Sequence, residues 1–119
     1  MNDALLHITR QGTWAEAQAS GLYSADTLPS DGFIHCSKVD QVLRVADTYY
    51  KHQKDLVLLV IDPQKVKAEL RWEAGVDDPG ELYPHIYGPL NLDAVTTVIN
   101  FKAGDDGKFH LPTALTLPD

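Results

Sequence analysis

Three histidines lie in short segments that are predicted to form β-strands, and a glutamate lies in a fourth. They are His7, His35, His85 and Glu73. Side chains alternate between the two faces of a strand, so each of these residues lies opposite the core-facing residues of its own segment. His35 shares its face with Phe33, and Glu73 shares its face with Arg71. Imidazole and carboxylate groups carry out general acid–base catalysis, and they also bind transition metals. The pattern therefore indicates either a catalytic site or a binding site.

Residues with hydroxyl groups share the predicted faces of these histidines. Thr9 lies on the face of His7, Ser37 on that of His35, and Tyr87 on that of His85. We predict that the four segments converge on one histidine-lined pocket. The alternative is that each residue is an ordinary polar group on the solvent face of a half-exposed strand. His52 and His110 are left out, because one falls at a predicted helix end and the other in the tail.

Two other kinds of site remain open. The first is a metal-dependent, hydrolase-like centre built from His7, His35, His85 and Glu73. Its sequence signal is weak, because no two histidines have the H-x-H or H-x-x-x-H spacing. The second is a module that binds a small ligand without catalysis.

The composition restricts the class of protein. The chain has 119 residues, 44% of them hydrophobic, and 10 Lys and Arg against 17 Asp and Glu, so its net charge is −7. These values predict one globular domain spanning residues 1–119. The negative charge argues against a nucleic-acid partner, because it repels phosphates. The single cysteine, the absence of an N-terminal signal pattern and apolar runs of at most six residues predict a cytoplasmic protein without a membrane partner.

The order of predicted elements favours an α+β fold with two helices. Helices are predicted over residues 13–20 and after Ser37, which is placed as an N-cap. The second helix carries an apolar stripe that should lie on a sheet, formed by Val39, Val42, Leu43, Ala46, Tyr49 and Tyr50. Trp14 and Trp72 are expected to be core anchors, and Cys36 to face the core as an inert thiol. Strands are predicted over residues 4–9, 32–36, 55–62, 69–74 and 96–101, with an edge strand or structured loop at 83–89, an acidic loop at 75–81 and a short strand near 109–111.

Five motifs together resemble a known family. They are LLHIT at 5–9, WAEAQASGLY at 14–23, GFIHCS at 32–37, RWE at 71–73 and PHIYGP at 84–89. In this order they resemble the small bacterial family DUF952, over residues 5–98. That family looks like a remote relative of the ADP-ribosyltransferases and RNA 2′-phosphotransferases. The resemblance implies a split, mostly antiparallel β-sheet that binds NAD in a cleft.

The resemblance also implies roles for particular residues. His7 and Thr9 resemble the His-x-Thr pair that holds a ribose of NAD, and His35 with Ser37 resembles a second strand motif of the phosphotransferases. We therefore expect NAD, or a related nucleotide such as ADP-ribose, as ligand. The expected catalytic residues are His35 and Glu73, with Glu73 either stabilising a cationic ribose or acting as a base. The expected nucleotide-binding residues are His7, Thr9, His35, Ser37, His85 and Tyr87.

Overall fold

The computed structural model describes residues 4–25, 27–75, 80–104, 106–112 and 115. Two short 3₁₀ turns, Pro63–Lys65 and Leu92–Ala94, connect strands in the second half of the chain. The helices are α1 (Gln11–Ser20), α2 (Thr27–Asp31) and α3 (Val39–Tyr49). The strands are β1 (Leu5–Arg10), β2 (Leu22–Tyr23), β3 (Ile34–His35), β4 (Leu56–Ile61), β5 (Glu69–Ala74), β6 (Leu82–Tyr87), β7 (Leu90–Asn91) and β8 (Val95–Phe101).

All strand pairs are antiparallel. One three-stranded sheet has the order β1-β4-β8, another has the order β3-β6-β5, and β2 pairs with β7. The two larger sheets meet at Leu6 and Ser37, whose backbones exchange two N–H···O bonds of 2.8 Å each. The predicted α+β class and antiparallel pairing are thus confirmed. The predicted number of helices is wrong, because the described residues form three.

The core fills the space on both faces of β4. Leu59 and Ile61 belong to one cluster, which also contains Ile34 and Ile86 from the second large sheet. The other face packs under α3 in a second cluster, which contains Leu6, Ile8, Val42, Ala46, Leu56, Leu58, Phe101 and Phe109. Burial on both faces explains why the sequence of β4 is a continuous apolar run without alternation. Most of the apolar stripe predicted for the helix after Ser37 forms the buried face of α3, but Tyr49, near the end of the helix, is 51% exposed.

The start of α3 differs from the prediction. Its N-cap is Lys38 and not Ser37, because the backbone of Ser37 is used in the bridge to Leu6. The side chain of Gln41 replaces the expected cap: its Oε1 accepts the N–H of Lys38 at 2.9 Å. Its Nε2 donates to the carbonyl of Leu82 at 2.8 Å, so this fully buried amide also ties α3 to β6.

The segment predicted as an edge strand or loop is the central strand β6 of its sheet. Pro84 is tolerated there because its backbone faces the short strand β3 and not the long strand β5. The Pro84 carbonyl accepts the N–H of Cys36 at 3.0 Å, but proline has no N–H to return. The regular β3–β6 pairing therefore ends at His35.

Two further expectations are wrong. The residues around 109–111 form no strand; Phe109 is held instead by stacking on Phe101, with ring centroids 4.9 Å apart. Trp72 is 45% exposed, because it lies on β5 at the edge of the sheet, beyond the core. Trp14 is partly buried against the first core cluster, as expected. Most of the predicted acidic loop at 75–81 lies outside the described residues.

Candidate functional site

The second large sheet brings several predicted site residues onto one face. His85 on β6 lies opposite His35 on β3 and opposite Arg71 on β5. Because directly opposed residues of antiparallel strands point to the same side, these side chains share the face turned away from the first core cluster. This face, referred to below as the histidine face, is made of Phe33, His35, Arg71, Glu73, His85 and Tyr87.

Phe33 packs the rings of the histidine face together. Its ring stacks on His85 with centroids 4.1 Å apart and an interplanar angle of 21°. It also contacts the rings of His35 at 4.6 Å and Tyr87 at 5.2 Å. The His35 and His85 rings meet edge to face at 5.5 Å. These contacts pack the four rings against one another and restrict their rotation.

Glu73 is the most strongly oriented polar group of the histidine face. Its Oε1 accepts two hydrogen bonds, from His85 Nδ1 at 2.8 Å and from the Tyr87 hydroxyl at 2.5 Å. Both bonds hold the pKa of Glu73 below its ordinary value, and the bond from Tyr87 has the larger effect. The hydrogen bond between Tyr87 and Glu73 also raises the pKa of Tyr87. The His85 side chain is only 4% exposed, whereas that of Glu73 is 36% exposed. Oε2 of Glu73 has no hydrogen-bond partner in the part of the chain that the structure describes.

Charged groups surround this centre. Arg71 donates to both carboxylate oxygens of Glu69, through Nε at 2.7 Å and Nη2 at 3.1 Å, which raises the pKa of Arg71. The Arg71 guanidinium also lies 4.3 Å from the centroid of the Tyr87 ring. On the other side of the face, His35 Nε2 lies 2.9 Å from a carboxylate oxygen of Asp31. The Arg71 guanidinium therefore covers one face of the Tyr87 ring, and the hydroxyl of Tyr87 positions Glu73.

His7 lies beneath the histidine face and not on it. Its Nδ1–H donates to the carbonyl of His35 at 2.6 Å, and its Nε2 accepts the Tyr23 hydroxyl at 2.6 Å. The Tyr23 hydroxyl also lies 2.9 Å from Thr9 Oγ1. Burial lowers the pKa of His7 to about 4, so its imidazole is neutral at pH 7. His7 and Thr9 are both buried, and both ring nitrogens of His7 are occupied within the protein.

The structure therefore separates the predicted site residues into two groups. It brings His35, Glu73, His85 and Tyr87 together. His7 and Thr9 form the internal network behind them, and buried Ser37 connects the two sheets through its backbone. Three contributors were not among the predicted site residues. Strand alternation places Phe33 and Arg71 on the histidine face, so their position could be predicted from the sequence. No sequence signal indicated the third, Tyr23, because β2 has only two residues.

The alternative of a metal centre is not supported by this arrangement. Within the ranges that the structure describes, no three His, Cys, Asp or Glu side chains are placed to hold a metal ion. Of the four predicted ligands, only Glu73 and His85 are joined by a hydrogen bond between their side chains. Cys36 is buried in the first core cluster, which confirms that it faces the core, and burial raises the pKa of its thiol to about 12. No helix among the described residues is long and apolar enough to cross a membrane.

The fold and the face define a small α+β domain in which two antiparallel sheets meet at one bridge and one of them carries histidines and a carboxylate. Residues 8–98 match the family described as "Protein of unknown function (DUF952)", and the chain belongs to this family. The predicted family membership is thereby confirmed.

Solved structures of a second protein have the same fold. The crystal structure of protein CC0527 from Caulobacter crescentus superposes with a TM-score of 0.85 at 30% identity, over 96% of this chain and 99% of that one. The solution NMR structure of CC0527 gives a TM-score of 0.81 at 29% identity, over 97% and 98% of the two chains. No curated protein matches the sequence.

Proposed function

We propose that the histidine face binds a nucleotide of the NAD or ADP-ribose type, and that Glu73 stabilises positive charge on the ribose. The observation that carries this proposal is the geometry of the Glu73 carboxylate. One oxygen is held by His85 and Tyr87, and the other is left without a partner among the described residues. A carboxylate fixed in this way can face a cationic group without first having to reorganise.

The direction of the Glu73 pKa favours one of its two expected roles. A carboxyl whose pKa lies below its ordinary value is ionised at neutral pH and is a weak base. It is therefore better suited to stabilise a cation than to remove a proton from an acceptor. Bound NAD would supply a ribose–nicotinamide bond whose electrons leave with nicotinamide, so that positive charge develops on the ribose; water would then bond to that ribose carbon and release a proton.

The other members of the face have supporting roles in this proposal. His35, whose side chain is 39% exposed, is the group that can reach a ribose hydroxyl or a phosphate. His85 and Tyr87 position Glu73. His7 positions His35 through the bond to its carbonyl oxygen. Direct contact of His7, Thr9 or Ser37 with a ligand stays a prediction from the family resemblance, and for His7 it requires an internal hydrogen bond to open.

The residues of the histidine face are suited to bind the ribose of a nucleotide. They can also bind a phosphate once Arg71 exchanges its present ion-pair partner. Arg71 is the cation of the face, and in this structure it is paired with Glu69. Both side chains are about half exposed, at 49% and 59%, and exposed ion pairs contribute little stability. A phosphate can therefore replace Glu69 as the partner of Arg71, because guanidinium binds phosphate with the same two-point geometry.

Titration of the isotope-labelled protein with NAD, and separately with ADP-ribose, followed by amide NMR, tests this proposal. We expect saturable shifts at residues 33–35, 71–73 and 85–87. The Glu73→Gln variant keeps the shape of the side chain but not its charge, and should weaken binding of NAD. The Glu16→Gln variant, on the exposed surface of α1, should bind as the natural sequence does. No saturable shift at millimolar concentrations of either nucleotide would refute the proposal.

A second candidate is a binding module without catalysis on the same face. It is favoured by the low basicity of Glu73, which leaves the face without a strong base to activate an acceptor. Chromatographic measurement of free nicotinamide after incubation with NAD separates the two candidates. Release that is lost in Glu73→Gln indicates an enzyme, whereas saturable binding with no release in any variant indicates the module.

A further inference from the structure

Strand β5 lies at the edge of its sheet, and its outer side pairs with no residue that the structure describes. The hydrogen bond from the N–H of Gly75 to the carbonyl of Glu81, the residue directly opposite, shows which backbone groups of β5 point toward β6. Because inward and outward backbone groups alternate along an antiparallel strand, the groups of Leu70, Trp72 and Ala74 point outward. Three consecutive outward positions therefore present unused N–H and C=O groups.

Several features that usually prevent strands from pairing are absent from this edge: β5 has no lysine, no proline and no bulge, and no strand among the described residues covers it. Its charged residues, Glu69, Arg71 and Glu73, alternate in sign, so they can pair with the same residues of an antiparallel partner. The sequence of β5 is ELRWEA, and its register with β6 is regular over all six residues. Trp72 is 45% exposed on this strand, and Leu82, diagonal to it on the same face of the sheet, is 55% exposed. The edge is therefore six residues long, regular in register and partly apolar.

We propose that a second copy of this chain pairs with the outer edge of β5, antiparallel and about a two-fold axis at Trp72. Trp72 of one copy then lies opposite Trp72 of the other, and Leu70 lies opposite Ala74. All three outward positions of each copy are used, which gives about six hydrogen bonds between the copies. A register centred on Leu70 instead places Trp72 opposite Ala68, which precedes the strand.

Charge complementarity favours the same register. With Trp72 on the axis, Arg71 of each copy lies opposite Glu73 of the other, so two oppositely charged pairs form across the axis. Opposed side chains in such positions have Cβ atoms about 5 Å apart and stabilise the pairing when their charges are opposite. An axis at Arg71 is disfavoured, because it places two arginines opposite each other.

The pairing also has a consequence for the histidine face. The two-fold axis is perpendicular to the sheet, so the histidine faces of both copies lie on the same side of one six-stranded sheet. Each copy then contributes Arg71 next to the Glu73 carboxylate of the other. The inference depends on the geometry of β5 alone, and holds whether or not the face binds a nucleotide.

Sedimentation equilibrium over a range of protein concentrations tests the pairing. We expect the average mass to rise from that of one chain to that of two. Ala74→Pro removes an outward N–H but leaves the β5–β6 hydrogen bonds intact, and should raise the dissociation constant about tenfold or more. Ala74→Ser keeps the N–H and should behave as the natural sequence does. A protein that is monomeric at millimolar concentration would overturn the proposal.

Cysteine substitution tests the register. Trp72→Cys places two thiols opposite each other on the axis, within the Cα separation that a disulfide spans. Ala74→Cys places them about four residues apart along the strands, roughly 13 Å, which is too far. The natural Cys36 is buried and does not compete. Oxidation should yield covalent dimers of Trp72→Cys only. Equal cross-linking of both variants, or none in Trp72→Cys, would overturn the proposed register.

Discussion

Acidification should destabilise the protein through His7. The imidazole is held in its neutral form, because Nδ1–H donates to the His35 carbonyl while Nε2 accepts the Tyr23 hydroxyl. Burial lowers the pKa of His7 from 6.5 to about 4 in the folded protein. In the unfolded chain the imidazole is hydrated and its pKa returns to the ordinary value. Folded and unfolded states therefore bind different numbers of protons between these two pH values.

The direction and size of the effect follow from this difference. Above pH 6.5 the imidazole is neutral in both states, and His7 contributes no pH dependence. As the pH falls below 6.5, the unfolded state takes up a proton that the folded state does not, so the free energy of unfolding decreases. The decrease ends near pH 4, where the folded state is protonated as well. The difference between a pKa of 6.5 and one of about 4, at about 1.4 kcal/mol per pH unit, is worth about 3–4 kcal/mol.

Urea unfolding between pH 7.5 and pH 4 measures this contribution as a difference between variants. His7→Gln has no titrating imidazole, so its stability should fall less steeply below pH 6.5 than that of the natural sequence. Tyr23→Phe is the matched control: it loses a hydroxyl from the same network but keeps the imidazole. It should lose stability at every pH while retaining most of the slope between pH 6.5 and pH 4. Carboxylates that titrate at low pH contribute to all three proteins alike.

Two results would contradict this reasoning. The first is an equal pH slope for His7→Gln and the natural sequence. The second is a ring NMR signal of His7 that titrates near pH 6.5 in the folded protein, because a buried imidazole with both nitrogens bonded should remain neutral until about pH 4.

Three further predictions concern single sites. Tyr87→Phe should raise the pKa of Glu73, read from its carboxyl ¹³C shift, because the strongest hydrogen bond to that carboxylate is lost; an unchanged titration would contradict the assigned cause. Cys36 should resist an aromatic disulfide reagent at pH 8 until urea unfolds the chain, since its pKa is about 12; rapid reaction of the native protein would show an accessible thiolate. Gly21→Ala should cost about 1–2 kcal/mol in urea unfolding, because φ is 92° at this helix end. Gly12→Ala, in open space, should be neutral or stabilise by up to about 1 kcal/mol; similar losses at both positions would argue against backbone strain at Gly21.

Much of the fold could be predicted from local pattern. Strand β5 begins and ends at the predicted residues, and the apolar stripe after Ser37 correctly identifies the buried face of α3. The elements that were missed are short ones. The helix α2 and the strands β2 and β7 have five, two and two residues, too few for a period of 3.6 or 2 to be recognised.

The candidate site could be predicted only in part, for a similar reason. Alternation correctly placed His35 with Phe33, and Glu73 with Arg71, on the same faces of their strands. It also separated His7 from its apolar neighbours, but it could not show that both faces of β1 are covered. Tyr23 packs against His7 and helps to bury the face of β1 that carries His7 and Thr9, although alternation alone is typical of a solvent-exposed face.

What the sequence by itself determined is which side chains of one strand lie on one face, because alternation is a property of the covalent backbone. It also determined that Leu56–Ile61 must be buried, since six consecutive apolar residues cannot be hydrated without a large cost in free energy. Only the tertiary structure decided which strands are neighbours. The pairing of β6 with both β3 and β5 places His85 between His35 and Glu73, and it depends on contacts between residues far apart in the chain, which no local pattern records.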